Sequence, residues 1–469
     1  MKRIAAFCIP AHGHTNPMLP VLAELVRRGD EVRFYSFDEF REKIERTGAV
    51  FVSCEAFLPP LKKEEEEKLK QVSSTEMAIQ DIRITLAMDA FLRAEFERFR
   101  PDVVFTDSVC FWGKLNAWKY DVPMVVSTST FAFNRMSSQY MKNSPREMAD
   151  LLLGLPRVNR ELNALKSHGY KCRGLFALIQ SDNETDSVVY TSKRFQPYSE
   201  SFSDHYLFAG PSVFADNRPE KNVDRPLVYI SMGTVINDRP DFYRKCIDGL
   251  GGEALDVVIS CGKSVEPDSL GPLPKNVRVY PSVNQPELLA GANAFVTHCG
   301  MNSVSESLYM ATPMALYPQT NEQAAVARRV SELGAGVLLE DDSADGIRRA
   351  VLALLGEPGY ARAAEACCAD FRDCPGTAGA ADFIETAPHA SDGVDVMKEL
   401  GRADVRGQVL YGLATAVLGV LLFRFVSLRY LWVYIAATVF LSFPVKKALL
   451  NRAYRRLIRK TKPESQSKN

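Results

Sequence analysis

The sequence lacks any pattern of paired cysteines. Ten cysteines are spread along 469 residues, none of them lies in a Cys-x-x-C, and no spacing is typical of a zinc site. A chain of this length can bury a large apolar core without disulfides. These absences exclude a small disulfide-stabilised scaffold and a zinc-finger protein, and they favour a reducing compartment.

The chain also lacks net charge, because 57 basic and 57 acidic residues balance. The balance is uneven: from Val409 onward there are eleven Lys and Arg residues against one acid, Glu464, which leaves 46 basic and 56 acidic residues before it. An acidic body has no electrostatic reason to bind nucleic acid, whereas a basic tail is attracted to anionic lipid. We therefore expect no nucleic-acid partner.

The N-terminal apolar run is too short for a signal peptide. It extends from Ile4 to Ile9, stops at Pro10, and is followed by the polar segment His12-Gly13-His14. The run therefore predicts the first strand of the fold.

Strands and helices alternate through the first half of the chain. Asn16-Pro17 is predicted to open a helix that Gly29 ends, and strands are expected to follow, one of them ending at Asp107. This order implies right-handed crossovers and a parallel sheet that binds ligands at the carboxyl ends of its strands. Asp107 and the turn at 10–16 are therefore expected to face one cleft.

The pattern is weaker between residues 128 and 186. Its apolar side chains could line an acceptor pocket or belong to the core, and the pattern does not decide between them. They are Phe131, Phe133, Met136, Tyr140 and Met141.

The second half repeats the order of the first without repeating its sequence. A strand from Leu227 leads into a small-residue turn, and residues 295–323 predict a strand, a polar turn, a helix, a strand and a second polar turn. The free N–H groups at the start of that helix suit a phosphate. The carboxylate and amides of the second polar turn suit sugar hydroxyls, so the residues predict a polyol-and-phosphate site.

These residues resemble a known family. The spacing His298-x-Gly300-x-Asn302-Ser303-x-x-Glu306, followed by Pro318-Gln319 and Glu322-Gln323, is similar to the donor signature of family 1 UDP-sugar-dependent glycosyltransferases of the bacterial macrolide type. The resemblance covers roughly residues 1–385 and implies a GT-B fold, an α/β architecture with two Rossmann-like doubly wound domains facing a cleft. The expected parts are an acceptor-binding domain at 1–206, a linker at 207–226 and a UDP-sugar-binding domain at 227–387.

The resemblance implies inverting transfer with a histidine base. His14 matches the base, and Asp107 matches the carboxylate that orients its imidazole. His12 is the competing base. A loop histidine that only caps its helix is the alternative without a catalytic role.

The resemblance also implies a donor site without a metal. No Asp-x-Asp motif is present, so the UDP-sugar is expected to bind as donor substrate with no metal and no cofactor. The diphosphate is assigned to Gly233, Thr234, His298, Gly300, Asn302 and Ser303, the uracil to Gln285, the ribose to Glu306, and the hexose to Glu322 and Gln323.

Two positions depart from the family pattern. Ser282 stands where many relatives stack an aromatic ring on uracil, with Tyr280 as a nearby substitute, and Glu322 replaces an aspartate with a longer carboxylate. Glucose is the expected sugar. Ser282 leaves open which nucleotide the donor carries, and the longer side chain of Glu322 leaves open which sugar hydroxyls it reaches.

An apolar segment follows the part that resembles the family. Residues 388–408 predict a tether, and the 37 residues from Val409 to Val445, interrupted by Arg424 and Arg429, predict a transmembrane helical hairpin. Basic flanks place the catalytic domains on the cytoplasmic side of a membrane. Residues 446–469 predict a basic amphipathic tail at lipid headgroups, and a buried dimerisation hairpin is the alternative.

Together, these features predict a membrane-tethered hexosyltransferase that acts on a hydroxyl of a lipophilic acceptor, such as a lipid, a sterol-like alcohol or a polyketide or macrolide. Two alternatives use the same fold. One is a nucleotide-sugar epimerase, and the other is a catalytically inactive membrane-bound subunit that binds nucleotide sugar.

Overall fold

Two parallel sheets form the body of the protein in this computed structural model. It describes residues 1–58, 73–141, 145–172, 174–175, 178, 184–213 and 221–390, and beyond them 400–402, 405, 409, 411–415, 417, 438, 445 and 447–459. The chain forms two compact units. Both sheets belong to the first, Met1–Ser199 with His205–Ala390, and the second contains Glu200–Asp204 and Ser391–Asn469.

The first sheet has seven strands in the order β3-β2-β1-β4-β5-β6-β7, and the second has six in the order β10-β9-β8-β11-β12-β13. The strands are β1 (Arg3–Phe7), β2 (Glu31–Ser36), β3 (Val50–Ser53), β4 (Val103–Asp107), β5 (Met124–Thr128), β6 (Asp186–Val189), β7 (Tyr206–Phe208), β8 (Leu227–Ser231), β9 (Asp256–Ser260), β10 (Val277–Tyr280), β11 (Ala294–Thr297), β12 (Met314–Leu316) and β13 (Gly336–Leu338).

Helices connect the strands of both sheets. They are α1 (His12–Arg27), α2 (Arg41–Glu45), α3 (Ser74–Ala87), α4 (Asp89–Phe99), α5 (Phe111–Lys119), α6 (Pro145–Ser167), α7 (Pro240–Leu250), α8 (Gln285–Gly291), α9 (Met301–Tyr309), α10 (Asn321–Glu332), α11 (Ala344–Gly356), α12 (Pro358–Arg372) and α13 (Gly376–Thr386).

The burial of the central strands follows from the hydrophobic runs in the sequence. All residues of β4 and of β11 are buried, as expected of central strands that are covered by helices on both faces. All strand pairs are parallel, and in both sheets the order reverses beside the first strand of that half. The predicted α/β architecture with two Rossmann-like sheets is confirmed, and sheets of this kind bind ligands at the carboxyl ends of their central strands.

Helix α1 begins earlier than predicted. It starts at His12, not at Asn16, and contains Pro17 and Pro20. Gly29 follows the helix with a φ of 96°, a left-handed conformation that glycine adopts without steric cost. His14 consequently lies in the first helical turn and not in a loop before the helix.

The last helix of the first unit returns to the first sheet. Arg28, just after α1, pairs with Asp382 of α13 at 2.6 Å and with Glu385 at 2.5 Å. Asp186 of β6 is buried and accepts hydrogen bonds from His205 Nδ1 at 2.6 Å and from the His389 backbone N–H at 2.9 Å. These contacts fasten the region after the second sheet onto the first.

The predicted membrane location is corrected. A bilayer core of about 30 Å requires about 20 consecutive apolar residues in one helix, and no helix among the described residues is long and apolar enough to cross a membrane. Most of 409–445, the predicted hairpin, lies outside the described residues, as do 391–399 of the predicted tether and 460–469 of the predicted tail. The predicted membrane partner and cytoplasmic-side placement are therefore not supported, and neither is the predicted hairpin.

Candidate functional site

A histidine and a carboxylate meet at the carboxyl edge of the first sheet. His14 Nδ1 lies 2.8 Å from Asp107 Oδ2. Asp107 is fully buried at the end of β4, and its other oxygen accepts a hydrogen bond from the Val109 backbone N–H at 3.0 Å. Because the carboxylate accepts from Nδ1–H, the lone pair of the imidazole is placed on Nε2. This geometry suits a base whose orientation is set by a buried acid.

The surroundings of His14 favour its protonated form. Burial lowers the pKa of His14, but the charge of Asp107 and its hydrogen bond raise it more, and Glu322 and Asp81 add to the increase. The net pKa is raised above the ordinary value of 6.5. His14 can therefore accept a proton readily and hold it as an ion pair.

His12, the competing base, has a different environment. Its Nδ1 lies 3.5 Å from Lys43 Nζ, and its ring packs edge-on against Phe40. Burial lowers the pKa of His12, and the charge of Lys43 lowers it further. A histidine beside a cation is a weaker base than one beside a carboxylate, so the geometry favours His14.

The turn before α9 is shaped around the imidazole of His298. A Cβ atom on Gly233 would lie 2.4 Å from His298 Nε2, and one on Gly300 would lie 2.5 Å from it. Cys299, between His298 and Gly300, has a φ of 68°, a strained conformation for a non-glycine residue. The two glycines make room for the histidine ring, and the strained residue turns the chain into the helix.

His298 is a neutral polar group in this turn. Burial lowers its pKa to about 4, although a hydrogen bond to the Ser231 backbone raises it, and Nδ1 is a buried atom without a hydrogen-bond partner in the described part of the chain. A neutral imidazole carries one N–H, so His298 can donate to an anion through Nδ1 in the tautomer that places the proton on that nitrogen. The turn thus has an unused polar group next to the start of a helix, where a phosphate is stabilised.

The two halves of the site touch at Asn302 and Gly13. Asn302 Nδ2, in the first turn of α9, donates to the Gly13 carbonyl at 2.8 Å. Gly13 immediately precedes His14 in the first turn of α1. The candidate phosphate helix and the candidate base are therefore joined by one hydrogen bond.

Gln285, Ser303 and Glu306 form one group beside α9. Gln285 Nε2 donates to Glu306 Oε2 at 2.7 Å and to Ser303 Oγ at 3.1 Å, and Tyr229 donates to Gln285 Oε1 at 3.1 Å. Burial raises the pKa of Glu306 to about 7, although the hydrogen bond from Gln285 lowers it. Glu306 can therefore change its charge near neutral pH.

The second polar turn is organised by Gln323. Its Oε1 accepts from the Gln319 N–H at 2.8 Å and from the Thr320 N–H at 3.2 Å, which completes the cap of α10. This leaves the Nε2 group of Gln323 as the part that could donate to a sugar hydroxyl. Glu322 is exposed in the same turn, and its charge acts on His14.

The remaining predicted positions lie at the surface or in the core. Thr234 is exposed after β8, Tyr280 is exposed at the end of β10, and Ser282 is exposed beyond it. Of the apolar side chains at 131–141, Phe131, Met136 and Tyr140 are buried. These three are core residues, so of the two roles left open by the sequence they favour packing in the core over lining an acceptor pocket.

Sequence reasoning missed residues that only the fold brings to the site. Ser129 Oγ lies 3.1 Å from His14 Nδ1, and Asp81 on α3 is close enough for its charge to interact with those of His14 and Asp107. Burial raises the pKa of Asp81 well above its ordinary value, and the charge of Asp107 raises it further. Neither residue belongs to a motif, so no local signal could have identified it.

Comparison with known proteins gives the site a context. The profile described as "UDP-glucoronosyl and UDP-glucosyl transferase" matches residues 220–375. The NDP-glycosyltransferase YjiC of Bacillus licheniformis is 33% identical over 404 residues, which cover 82% of this chain and 97% of that protein. The oleandomycin glycosyltransferase of Streptomyces antibioticus is 31% identical, with coverage of 81% and 90%.

Solved structures share the fold. The calicheamicin glycosyltransferase matches with a TM-score of 0.62 and 25% identity, covering 83% of this chain and all of that one. The kitacinnamycin glycotransferase matches with a TM-score of 0.66 and 24% identity, covering 82% of this chain and 98% of that one. The match to each of these chains extends over nearly its whole length, so it covers both sheets.

Proposed function

Because the chain belongs to the UDP-glycosyltransferase family, we propose that it transfers a hexose, expected to be glucose, from a UDP-sugar to a hydroxyl of a lipophilic natural product, with inversion at the anomeric carbon. Its relatives include proteins named for oleandomycin and calicheamicin. We extend that acceptor class, polyketide or macrolide alcohols, to this chain.

The observation that carries the proposal is the contact between His14 Nδ1 and buried Asp107, next to the candidate phosphate helix. In the proposed step, His14 Nε2 takes the proton of the acceptor hydroxyl while the oxygen attacks the anomeric carbon. The bond between that carbon and the β-phosphate oxygen breaks, and UDP leaves with the electron pair. Asp107 stays ionised and stabilises the imidazolium.

The donor is proposed to lie along α9. Its diphosphate would face the N–H groups at the start of the helix together with His298, Asn302 and Ser303. The ribose would meet Glu306. Since the side-chain amide of Gln285 is already engaged with Glu306 and Ser303, Gln285 would meet uracil through its backbone.

The hexose is proposed to lie between the second polar turn and His14. Glu322 would accept hydrogen bonds from the sugar hydroxyls, and Gln323 would donate through Nε2. Gly233 and Thr234 would close the diphosphate site from the end of β8. Transfer is expected to need no metal and no cofactor.

We expect the affinity for the donor to rise with pH because of Glu306. Its pKa of about 7 means that the carboxyl is protonated below neutrality and ionised above it, and a carboxylate binds hydroxyls more strongly than the acid does. From about pH 6 to about pH 8, the KM for UDP-glucose should fall by about 5-fold to 10-fold. In Glu306→Gln, the KM should be high and independent of pH. Equal pH dependence in both proteins would remove Glu306 from the ribose site.

The proposed function is tested by incubating the purified chain with a set of macrolide and polyketide alcohols and with UDP-glucose, UDP-galactose or UDP-N-acetylglucosamine. We expect an acceptor product heavier by one hexose, an inverted anomeric configuration by NMR, the highest rate with UDP-glucose, and an unchanged rate with EDTA.

Two results would favour the alternatives. An altered nucleotide sugar that forms without acceptor would indicate an epimerase. Tight UDP binding without turnover of any donor would indicate a binding subunit.

A further inference from the structure

Two prolines interrupt the backbone hydrogen bonds of α1. In an α-helix the N–H of residue i donates to the carbonyl of residue i−4, and proline has no N–H. Pro17 therefore leaves the Gly13 carbonyl without its helical donor, and Pro20 leaves the Asn16 carbonyl without one. Both prolines are buried inside the helix, so neither stands at its first position, where proline costs nothing.

Only one of the two freed carbonyls is bonded by the other half of the site. The Gly13 carbonyl accepts from Asn302 Nδ2 at 2.8 Å. Among the described residues, no contact from the second sheet to the Asn16 carbonyl is found. The hydrogen bond that joins the two halves therefore forms at a carbonyl that a proline has freed.

Asn302 has a second donor available. A side-chain amide carries two N–H groups on its nitrogen, and one of them is used on Gly13. The second is free to meet an anion at the start of α9, because Asn302 is in its first turn. One amide group can thus hold the donor diphosphate and the peptide next to His14 at the same time.

We propose that Pro17 and Asn302 act as a positioning pair: Pro17 frees the Gly13 carbonyl, and Asn302, when it holds the donor diphosphate, fixes the Gly13–His14 peptide and thereby the imidazole. This inference rests on the proposed function. The inference goes beyond phosphate binding by Asn302, because it predicts that Pro17, which touches no substrate, affects kcat by positioning His14. Small errors in the placement of a base are costly for the rate of reaction.

The experiment compares Pro17→Ala with Pro20→Ala, which makes the same change on the same helix. In Pro17→Ala, the new N–H at position 17 would draw the Gly13 carbonyl into the helix and compete with Asn302. We expect kcat to fall about 5-fold to 10-fold, with the Kd for UDP and the KM for UDP-glucose within about 2-fold of wild type. Pro20→Ala should leave all three unchanged.

A double-mutant cycle tests the coupling itself. Asn302→Ala removes the side-chain amide, so it should weaken UDP binding and also lower kcat. In the Asn302→Ala background, Pro17→Ala should have no further effect on kcat. Thermal unfolding checks that each variant is folded, and alanine is a better helix former than proline at both positions.

The outcomes separate this inference from the proposed function. A wild-type protein that fails to bind UDP would overturn the proposed function. Wild-type binding and turnover with equal kcat in Pro17→Ala and Pro20→Ala would overturn the positioning pair alone, as would a full additional effect of Pro17→Ala without Asn302. A loss of UDP affinity in Pro17→Ala that matches its loss of kcat would also overturn it.

Discussion

Replacement of His14 by alanine is expected to lower kcat for hexose transfer by roughly 10²–10⁴, with the KM for the donor nearly unchanged. The acceptor hydroxyl would then have to lose its proton to water during attack on the anomeric carbon. Most contacts to the donor are proposed along α9, at the diphosphate and the ribose, and the hexose is proposed to adjoin His14 only on one side, so donor binding should change little. The measurement is the initial rate of UDP release at saturating UDP-glucose with acceptor.

His12→Ala is the matched control for that variant. His12 is in the same helical turn, but its Nδ1 faces Lys43 and not a carboxylate. We expect the kcat of His12→Ala to lie within about 3-fold of the wild-type value, which corresponds to only a small change in the activation barrier. A large loss in His12→Ala with a small loss in His14→Ala would exchange the two roles.

Asp107→Asn is expected to lower kcat, measured at saturating UDP-glucose, by roughly 10²–10⁴ and to move the pH dependence of kcat. The base must be neutral, so activity in the wild type should rise with pH through the raised pKa of His14, above 6.5. The variant loses both the charge and the charged hydrogen bond that raise this pKa, while burial still lowers it. The acidic limb of the profile should therefore move to lower pH even as the rate falls.

The comparison for Asp107 is Asp102→Asn, a change at an exposed aspartate before the same strand. Asp102 accepts a hydrogen bond from the Arg3 backbone N–H at 2.8 Å at the opposite end of β4 from the site. Its rate and pH profile should match wild type. If the acidic limb in Asp107→Asn stayed where it is in the wild type, another group would be the one that titrates.

The central contact of the site could be predicted from the sequence because it depends on strand ends. Asp107 ends a buried strand and His14 follows another, and the carboxyl ends of parallel strands share one edge. The start of α9 at Met301, just after the turn that contains His298, can be predicted for the same reason, because that turn follows the buried strand β11. Hydrophobic periodicity and the positions of glycines indicate where strands end and helices begin, and these are local properties of the sequence.

Contacts between the two sheets could not be predicted in this way. The bond from Asn302 to Gly13 needs the two Rossmann-like sheets to be placed against each other, and nothing in the local sequence around Gly13 encodes a partner so far along the chain. The predicted start of α1 is wrong for a local reason: Pro17 is typical of the first turn of a helix, but the helix begins at His12. Asp81 was missed since its helix has an ordinary apolar pattern.

The membrane prediction failed for a different reason. The 37 residues from Val409 to Val445 are apolar but divided by Arg424 and Arg429, and most of them lie outside the described residues. In the described part of the chain, no helix meets the length and apolar content of a membrane span. The proposed acceptor class therefore rests on the acceptors for which relatives are named and not on a location.

The most direct test of His14 as the base is UDP release from UDP-glucose, with and without a polyketide or macrolide alcohol, in wild type and in His14→Ala. We predict release that needs the alcohol, is matched by glycosylated product, and is nearly lost in the variant. Release that is equal with and without the alcohol and unaffected by His14→Ala would contradict transfer with His14 as the base.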